Sequence, residues 1–187
     1  LVILDIDATP EGRGPKLEFI QTIVSEAFMP VAYGGGIRSA EEAREILRLG
    51  VEKVILNTSA ITNPQLIREI SLECGAQSTL VCMDLERMTD GRIIARGARG
   101  RERRVVDPGG FARTLQDLGA GELIVQAVHC DGTMAGFDIP LVKAIASSVT
   151  VPVVAIGGAG NIEHLTQVVR EGGACAAAAG SMFVFYG

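Results

Sequence analysis

The sequence predicts an α/β fold in which a parallel sheet closes into a (β/α)8 TIM barrel, and three observations carry that prediction. Strand-like and helix-like segments alternate along nearly the whole chain, the pattern of consecutive βα units. A strand that breaks into glycines and then opens a helix occurs twice, at Met29-Pro-Val-Ala-Tyr-Gly-Gly-Gly-Ile37 and at Val151-Pro-Val-Val-Ala-Ile-Gly-Gly-Ala-Gly160. The echo runs past these turns: Asp7-Ala-Thr9 and Asp131-Gly-Thr133 lie 124 residues apart, Pro30 and Pro152 lie 122, and Thr58 and Ser181 lie 123. A repeat of that length is half a domain rather than a solenoid unit. Alternation alone allows a doubly wound sheet; the half-repeat favours the barrel.

Taken in order, Leu1–Asp7 reads as a buried strand with an acidic end, Lys16–Phe28 as a helix, and Pro30–Tyr33 as a strand. Ser39, with Glu42 three residues on, is an N-cap signature for a helix that Gly50 stops at its C′ position. Lys53–Thr58 is the next strand, and Asn63-Pro64 opens a helix in the N-cap and N1 manner, running to about Cys74. Ser78–Asp84 is a strand ending in an acid. The stretch from Arg92 to Val106 is too long for a βα turn and predicts a hairpin excursion. Asp107-Pro108 opens a helix to Leu118, followed by strand Glu122–Val128, a helix from Ile139 to Ser147, strand Val151–Ile156, a helix from Ile162 to Arg170 and strand Cys175–Ala179. No linker divides the chain, so 1–187 is expected to be one domain, with 1–75 in the first half-barrel and 76–187 in the second.

Hydrophobic residues make up 48% of the chain and aromatics only 4%, with no Trp, so the core is expected to be aliphatic, as in parallel sheets. A formal net charge of −5 argues against general nucleic-acid affinity. No apolar run reaches the ~18 residues of a membrane span. Cys74, Cys82, Cys130 and Cys175 lack ligand spacing, which predicts free thiols, a cytoplasmic setting and no metal or cofactor. Two halves of this period need roughly 246 residues, near the ~250 typical of the barrel. One βα unit before Leu1 and a final helix after Gly187 are therefore expected to be missing, and so incomplete a barrel is expected to self-associate.

Active residues of such a barrel sit at the C-terminal strand ends. That rule gathers Asp5, Asp7, Gly34 to Gly36, Asn57, Thr58, Asp84, His129, Asp131, Gly157, Gly158, Gly180 and Ser181 on one rim. The glycine and hydroxyl positions fall into two repeat-related sets, as for a ligand with a phosphate at each end, and strand-end carboxylates between them could serve as acid and base.

These residues carry a resemblance. Asp5-Ile-Asp-Ala-Thr9, Tyr33-Gly-Gly-Gly-Ile37, Val51–Thr58, Asn63-Pro-x-Leu-Ile67, Asp131-Gly-Thr133 with Gly136-x-Asp138, and Gly157-Gly-Ala-Gly160 together resemble the cyclase subunit of imidazole glycerol phosphate synthase, in collinear order over nearly all of the chain. The resemblance implies a barrel of two half-barrels that takes ammonia from a glutaminase subunit. It further implies conversion of a bisphosphorylated ribulosyl-formimino-aminoimidazole ribonucleotide to imidazole glycerol phosphate and aminoimidazole carboxamide ribotide in histidine biosynthesis. It places catalytic aspartates at Asp84 and Asp131, phosphate contacts at Gly36, Asn57, Thr58, Gly132, Gly158, Gly180 and Ser181, and an ammonia gate at Lys53 and Glu122. A further essential aspartate of the family falls on the strand expected before Leu1, so the chain as it stands is expected to be inactive.

The chain departs from the family at His129-Cys130, where an acid and an arginine usually stand, and at Ile156, where a serine does. Its excursion holds Arg92, Arg96, Arg99, Arg101, Arg103 and Arg104, read first as a solvated hairpin and second as a phosphate grip. His129 is read as a local hydrogen bonder. Phe28–Ile37 and Ala179–Gly187 are similar to a paralogous group that serves amidation of surface sugars. The cyclase, that ammonia-channelling barrel and an inactive fragment all stay open at the level of sequence.

Overall fold

A computed structural model describes residues 1–184. Phe185, Tyr186 and Gly187, which end the tail motif, lie outside the described residues. Strands and helices alternate as β1 (Val2–Leu4), α1 (Leu17–Glu26), β2 (Ala32–Gly34), α2 (Ala40–Arg48), β3 (Lys53–Leu56), α3 (Ser59–Thr62) and α4 (Gln65–Cys74). They continue as β4 (Thr79–Arg87), β5 (Ile93–Gly97), β6 (Glu102–Val106), α5 (Pro108–Asp117), β7 (Glu122–Ala127), α6 (Ile139–Ala146), β8 (Val153–Ile156), α7 (Ile162–Arg170), β9 (Ala176–Ala178) and α8 (Ser181–Val184). Seven strands pair in parallel in the order β1-β2-β3-β4-β7-β8-β9, while β5 and β6 form an antiparallel hairpin hung on the far end of β4.

Both faces of this curled sheet are apolar, as the barrel prediction requires. Val54, Leu56, Val81, Met83, Leu85, Leu123 and Val125 turn outward into one core with Ile46 of α2, Ile67 and Ile70 of α4 and Ile145 of α6. The alternate residues Ile55, Leu80, Cys82 and Ile124 form a separate inner cluster, joined by Ala32, Val154 and Ile156. Fully burying each such aliphatic side chain contributes about 1.5–3 kcal/mol, so the outer core is the larger source of stability.

Helix starts follow the local chemistry. Ser39 accepts the Glu42 N–H at 3.1 Å, Asp107 accepts that of Gly110 at 2.8 Å, and Asn161 accepts that of His164 at 2.9 Å. Glu42 reaches back one residue farther than a capping box requires and takes the Arg38 N–H at 2.6 Å.

Four expectations need correction. The first strand is short and lies at one end of the sheet path, leaving Leu1, Val2, Leu4 and Ile6 exposed rather than buried. The fourth strand does not end at Asp84 but runs to Arg87, because β5 pairs along Asp84–Arg87 and prolongs it. Asn63 does not cap α4 through its side chain: a helical turn at Ser59–Thr62 precedes it, and the Asn63 carbonyl instead accepts the Leu66 N–H at 3.1 Å. The sequence predicts strand Cys175–Ala179 as the last element, yet a short helix, Ser181–Val184, follows Gly180.

Candidate active site at the C-terminal strand ends

Strand periodicity stacks the inner face in three layers. Lys53 of β3 and Glu122 of β7 pair at the N-terminal end. The apolar cluster of Ile55, Leu80, Cys82 and Ile124 forms the waist. Beyond it Asn57, Asp84 and Gln126 face a cavity of about 830 Å³.

That cavity brings together most of the residues singled out in the sequence: Gly36, Asn57, Thr58, Asp84, Asp131, Gly180 and Ser181 all line it. Gly132 and Gly158 do not. They face a narrow adjoining crevice shared with Asp131, Gly180 and Ser181. Gly158 stands where a Cβ would come within 2.1 Å of the Gly136 carbonyl oxygen, which is also where the Gly136 N–H meets the Gly158 carbonyl at 2.8 Å. The two glycine loops therefore touch backbone to backbone, and a side chain at Gly158 would part them.

Asp84 is the most perturbed acid of the cavity. Burial pushes its carboxyl up to about 6, against a hydrogen bond from the Cys82 thiol (3.3 Å) and the positive charge of Arg96; the neighbouring Asp131 carboxylate adds to the rise. A carboxyl at that value exchanges protons near neutrality, as general acid–base work needs. Asp131 is oriented by the Gln126 amide, which donates to it at 3.1 Å. Gln126 was missed in the sequence, although it stands at the inward period of Glu122 and Ile124.

The side chains of Asn57 and Thr58 are already committed within the protein. Asn57 donates to the carbonyls of Cys82 (3.1 Å) and Arg96 (3.5 Å), and Thr58 Oγ1 accepts the Ala98 N–H at 2.9 Å. Any anion contact by these two residues falls to the backbone. The N–H groups of Gly36, Thr58, Gly158 and Ser181 find no acceptor among the described residues.

Asp5 and Asp7 serve neighbouring loops. Asp5 takes Arg13 through two bonds of 2.5 and 2.7 Å and caps Ala8, and Arg13 holds its carboxyl below the ordinary range. Asp7 pairs with Arg99 of the hairpin turn at 2.6 Å. Arg101 reaches the Pro10 carbonyl at 2.9 Å, so the excursion leans on the loop after β1 instead of standing free in solvent. Arg96, Arg99 and Gly100 line the cavity; Arg92 and Arg103 turn to Asp90 and Glu86.

His129 has the partner that the sequence did not disclose. Asp138, almost buried, meets His129 Nε2 at 3.1 Å, accepts Arg87 at 2.7 and 2.9 Å, and caps α6 through the Leu141 N–H at 3.0 Å. His129 Nδ1 accepts the Arg87 N–H at 3.3 Å, which ties the ring to β4. Four cysteines are free thiols, and no helix among the described residues is long and apolar enough to cross a membrane.

The family model described as histidine biosynthesis protein matches residues 1–187. The chain is 42% identical over 180 residues to the imidazole glycerol phosphate synthase subunit HisF of Thermococcus gammatolerans, covering 96% of this chain and 71% of that protein. It is 41% identical over 186 residues to the subunit of the same name from Hyphomonas neptunium, covering 99% and 73%. A putative imidazole glycerol phosphate synthase subunit hisF3 of Vibrio vulnificus is 39% identical over 188 residues, covering 100% and 72%.

Proposed function

The chain belongs to the histidine biosynthesis protein family, as a relative of HisF subunits, and from that premise we propose that it acts as the cyclase of an imidazole glycerol phosphate synthase. In this reading it accepts ammonia from a glutaminase subunit and turns the bisphosphorylated ribulosyl-formimino-aminoimidazole ribonucleotide into imidazole glycerol phosphate and aminoimidazole carboxamide ribotide. The observation that carries the reading is the meeting of Asp84 and Asp131 with Gly36, Thr58, Gly180 and Ser181 around one cavity.

Joining ammonia to a carbonyl carbon requires protons to leave nitrogen and to reach the departing oxygen. Asp84, poised between its two forms, is suited to both transfers, and Asp131 supplies the second carboxylate. Backbone N–H groups at Gly36 and Thr58, and at Gly158 and Ser181, would each take one phosphate. Lys53 and Glu122 would form the polar entrance for ammonia at the other end of the inner face. Residues 1–75 and 76–187 would contribute to the two halves of one barrel, in a cytoplasmic protein with free thiols.

The test is ammonium-dependent turnover of the bisphosphate substrate with the glutaminase subunit present, expected to be absent for this chain alone, present for a protein of the relatives' full length that carries it, and lost there in Asp84→Asn. His129 and Cys130, standing where the family carries an acid and an arginine, favour a second reading as the ammonia-channelling partner in surface-sugar amidation. A stable glutaminase complex with no turnover of the bisphosphate would select that one.

A further inference from the structure

We propose that Arg96 is a positioning residue, acting through Asp84 by holding a positive charge beside that carboxyl and so deciding the pH at which it gives up its proton. The inference rests on Asp84 as the proton-transferring group of the proposed reaction. Its ground is geometric. Asp84 and Arg96 are direct partners across the antiparallel pair of β4 and β5, and both side chains line the cavity.

The hairpin is built to keep Arg96 there. Thr58 holds the Ala98 N–H, Asn57 donates to the Arg96 carbonyl, and Gly97 lies so close to Thr58 that a Cβ there would stand 3.0 Å from its Cα. On the outer side the turn folds over the guanidinium: Gly100, at φ +84°, leaves the space in which a Cβ would come within 2.4 Å of Arg96 Nη2. An arginine fixed by the strand beneath it and the turn above it keeps little freedom to leave the cavity that it shares with Asp84.

The charge is only partly consumed by its neighbour. Glu86, two residues beyond Asp84 on the same face of β4, stands 3.5 Å from Arg96 but 3.0 Å from Arg103, so it is shared between two guanidinium groups. The groups around Asp84 are then Cys82 on its own strand, Arg96 on β5, Asp131 after β7 and the neutral Asn57 after β3. Arg96 is the positive charge in that set, and the one that favours the carboxylate against burial and Asp131.

The experiment is a ¹³C carboxyl titration of Asp84 in the full chain, compared with Arg96→Gln, Arg96→Lys and Glu86→Gln. The expected result is a midpoint raised by about one pH unit in Arg96→Gln, a smaller rise in Arg96→Lys, and a fall in Glu86→Gln. A midpoint that stays put or falls in Arg96→Gln, or that moves as far in Arg96→Lys, overturns the proposal. The acidic limb of kcat/KM should follow the titration. Absence of turnover in a protein of the relatives' full length that carries this chain would count against the cyclase reading, while the titration still decides the role of Arg96.

Discussion

The hydroxyl of Thr58 accepts the backbone N–H of Ala98 at 2.9 Å and thereby fastens the hairpin turn to a strand end 40 residues earlier. Thr58→Val keeps the shape and removes the acceptor, leaving a partly buried N–H unpaired at a cost of about 1–3 kcal/mol. Amide exchange over residues 93–106 should quicken in this variant while the outer core stays protected. Thr58→Ser should restore most of the protection.

Asp84 titrates higher in the folded protein than in the unfolded chain, so the folded state binds the extra proton between about 4 and 6, and stability must fall as pH rises through that window. Asp84→Asn removes the effect. Chemical denaturation should show the variant gaining on the wild type by about 1–3 kcal/mol between pH 4 and pH 7. Turnover should nevertheless drop about 10²–10⁴-fold.

Asp5 presents the opposite sign. Arg13 depresses its carboxyl, so the pair stabilises above the ordinary carboxylate range and the gain is lost as pH falls through the depressed value. Thermal melts of Asp5→Asn should lie below the wild type at pH 7, by about 1–2 kcal/mol for the lost charged bonds. The two proteins should converge in acid; a gap that persists there would mean that the side chain acts through packing.

Inorganic phosphate soaked into crystals should settle at the N–H groups of Gly36 and Thr58, at those of Gly158 and Ser181, or at both. Gly158→Ala should abolish the second position without touching the first, since its methyl would strike the Gly136 carbonyl and part the two loops.

Replacing Glu122 by Gln leaves Lys53 without its charged partner at the far end of the inner face. The stability change should be modest, about 1 kcal/mol, since Glu122 is mostly covered while Lys53 keeps part of its side chain in water. Glutamine-driven turnover should fall more than turnover with added ammonium, and equal losses in the two assays would remove the pair from ammonia entry.

What the sequence made legible was whatever rests on local chemistry and period. The caps at Ser39 and Asp107, the hairpin of 92–106 and the gathering of Asp84 with Asp131 follow from alternation, turn residues and the half-repeat. What stayed hidden depends on partners distant in the chain. Asn57 and Thr58 read as ligand contacts, because nothing local shows that their side chains hold Arg96 and Ala98 some forty residues on. His129 reads as solitary because Asp138 stands out only in the motif Gly136-x-Asp138, and nothing local shows that its carboxylate meets the ring nine residues back. The arginines of the excursion separate into cavity-lining and outward-facing groups only once the register of β5 against β4 is known.

The strand order β1-β2-β3-β4-β7-β8-β9 follows the chain, and neighbours are consecutive everywhere except where the hairpin interposes between β4 and β7. Each βα unit can thus dock on the one made just before it, and the sheet can grow from the N-terminal side during synthesis. The step at β4 differs. Its outer half has β5 as a ready antiparallel neighbour long before β7 is made, and the six-residue ladder with β7 must add to a strand already holding its hairpin. Emerging chains that stall between residues 106 and 122 should therefore hold a docked hairpin and an unsealed sheet edge, the state in which chaperone capture would be most frequent.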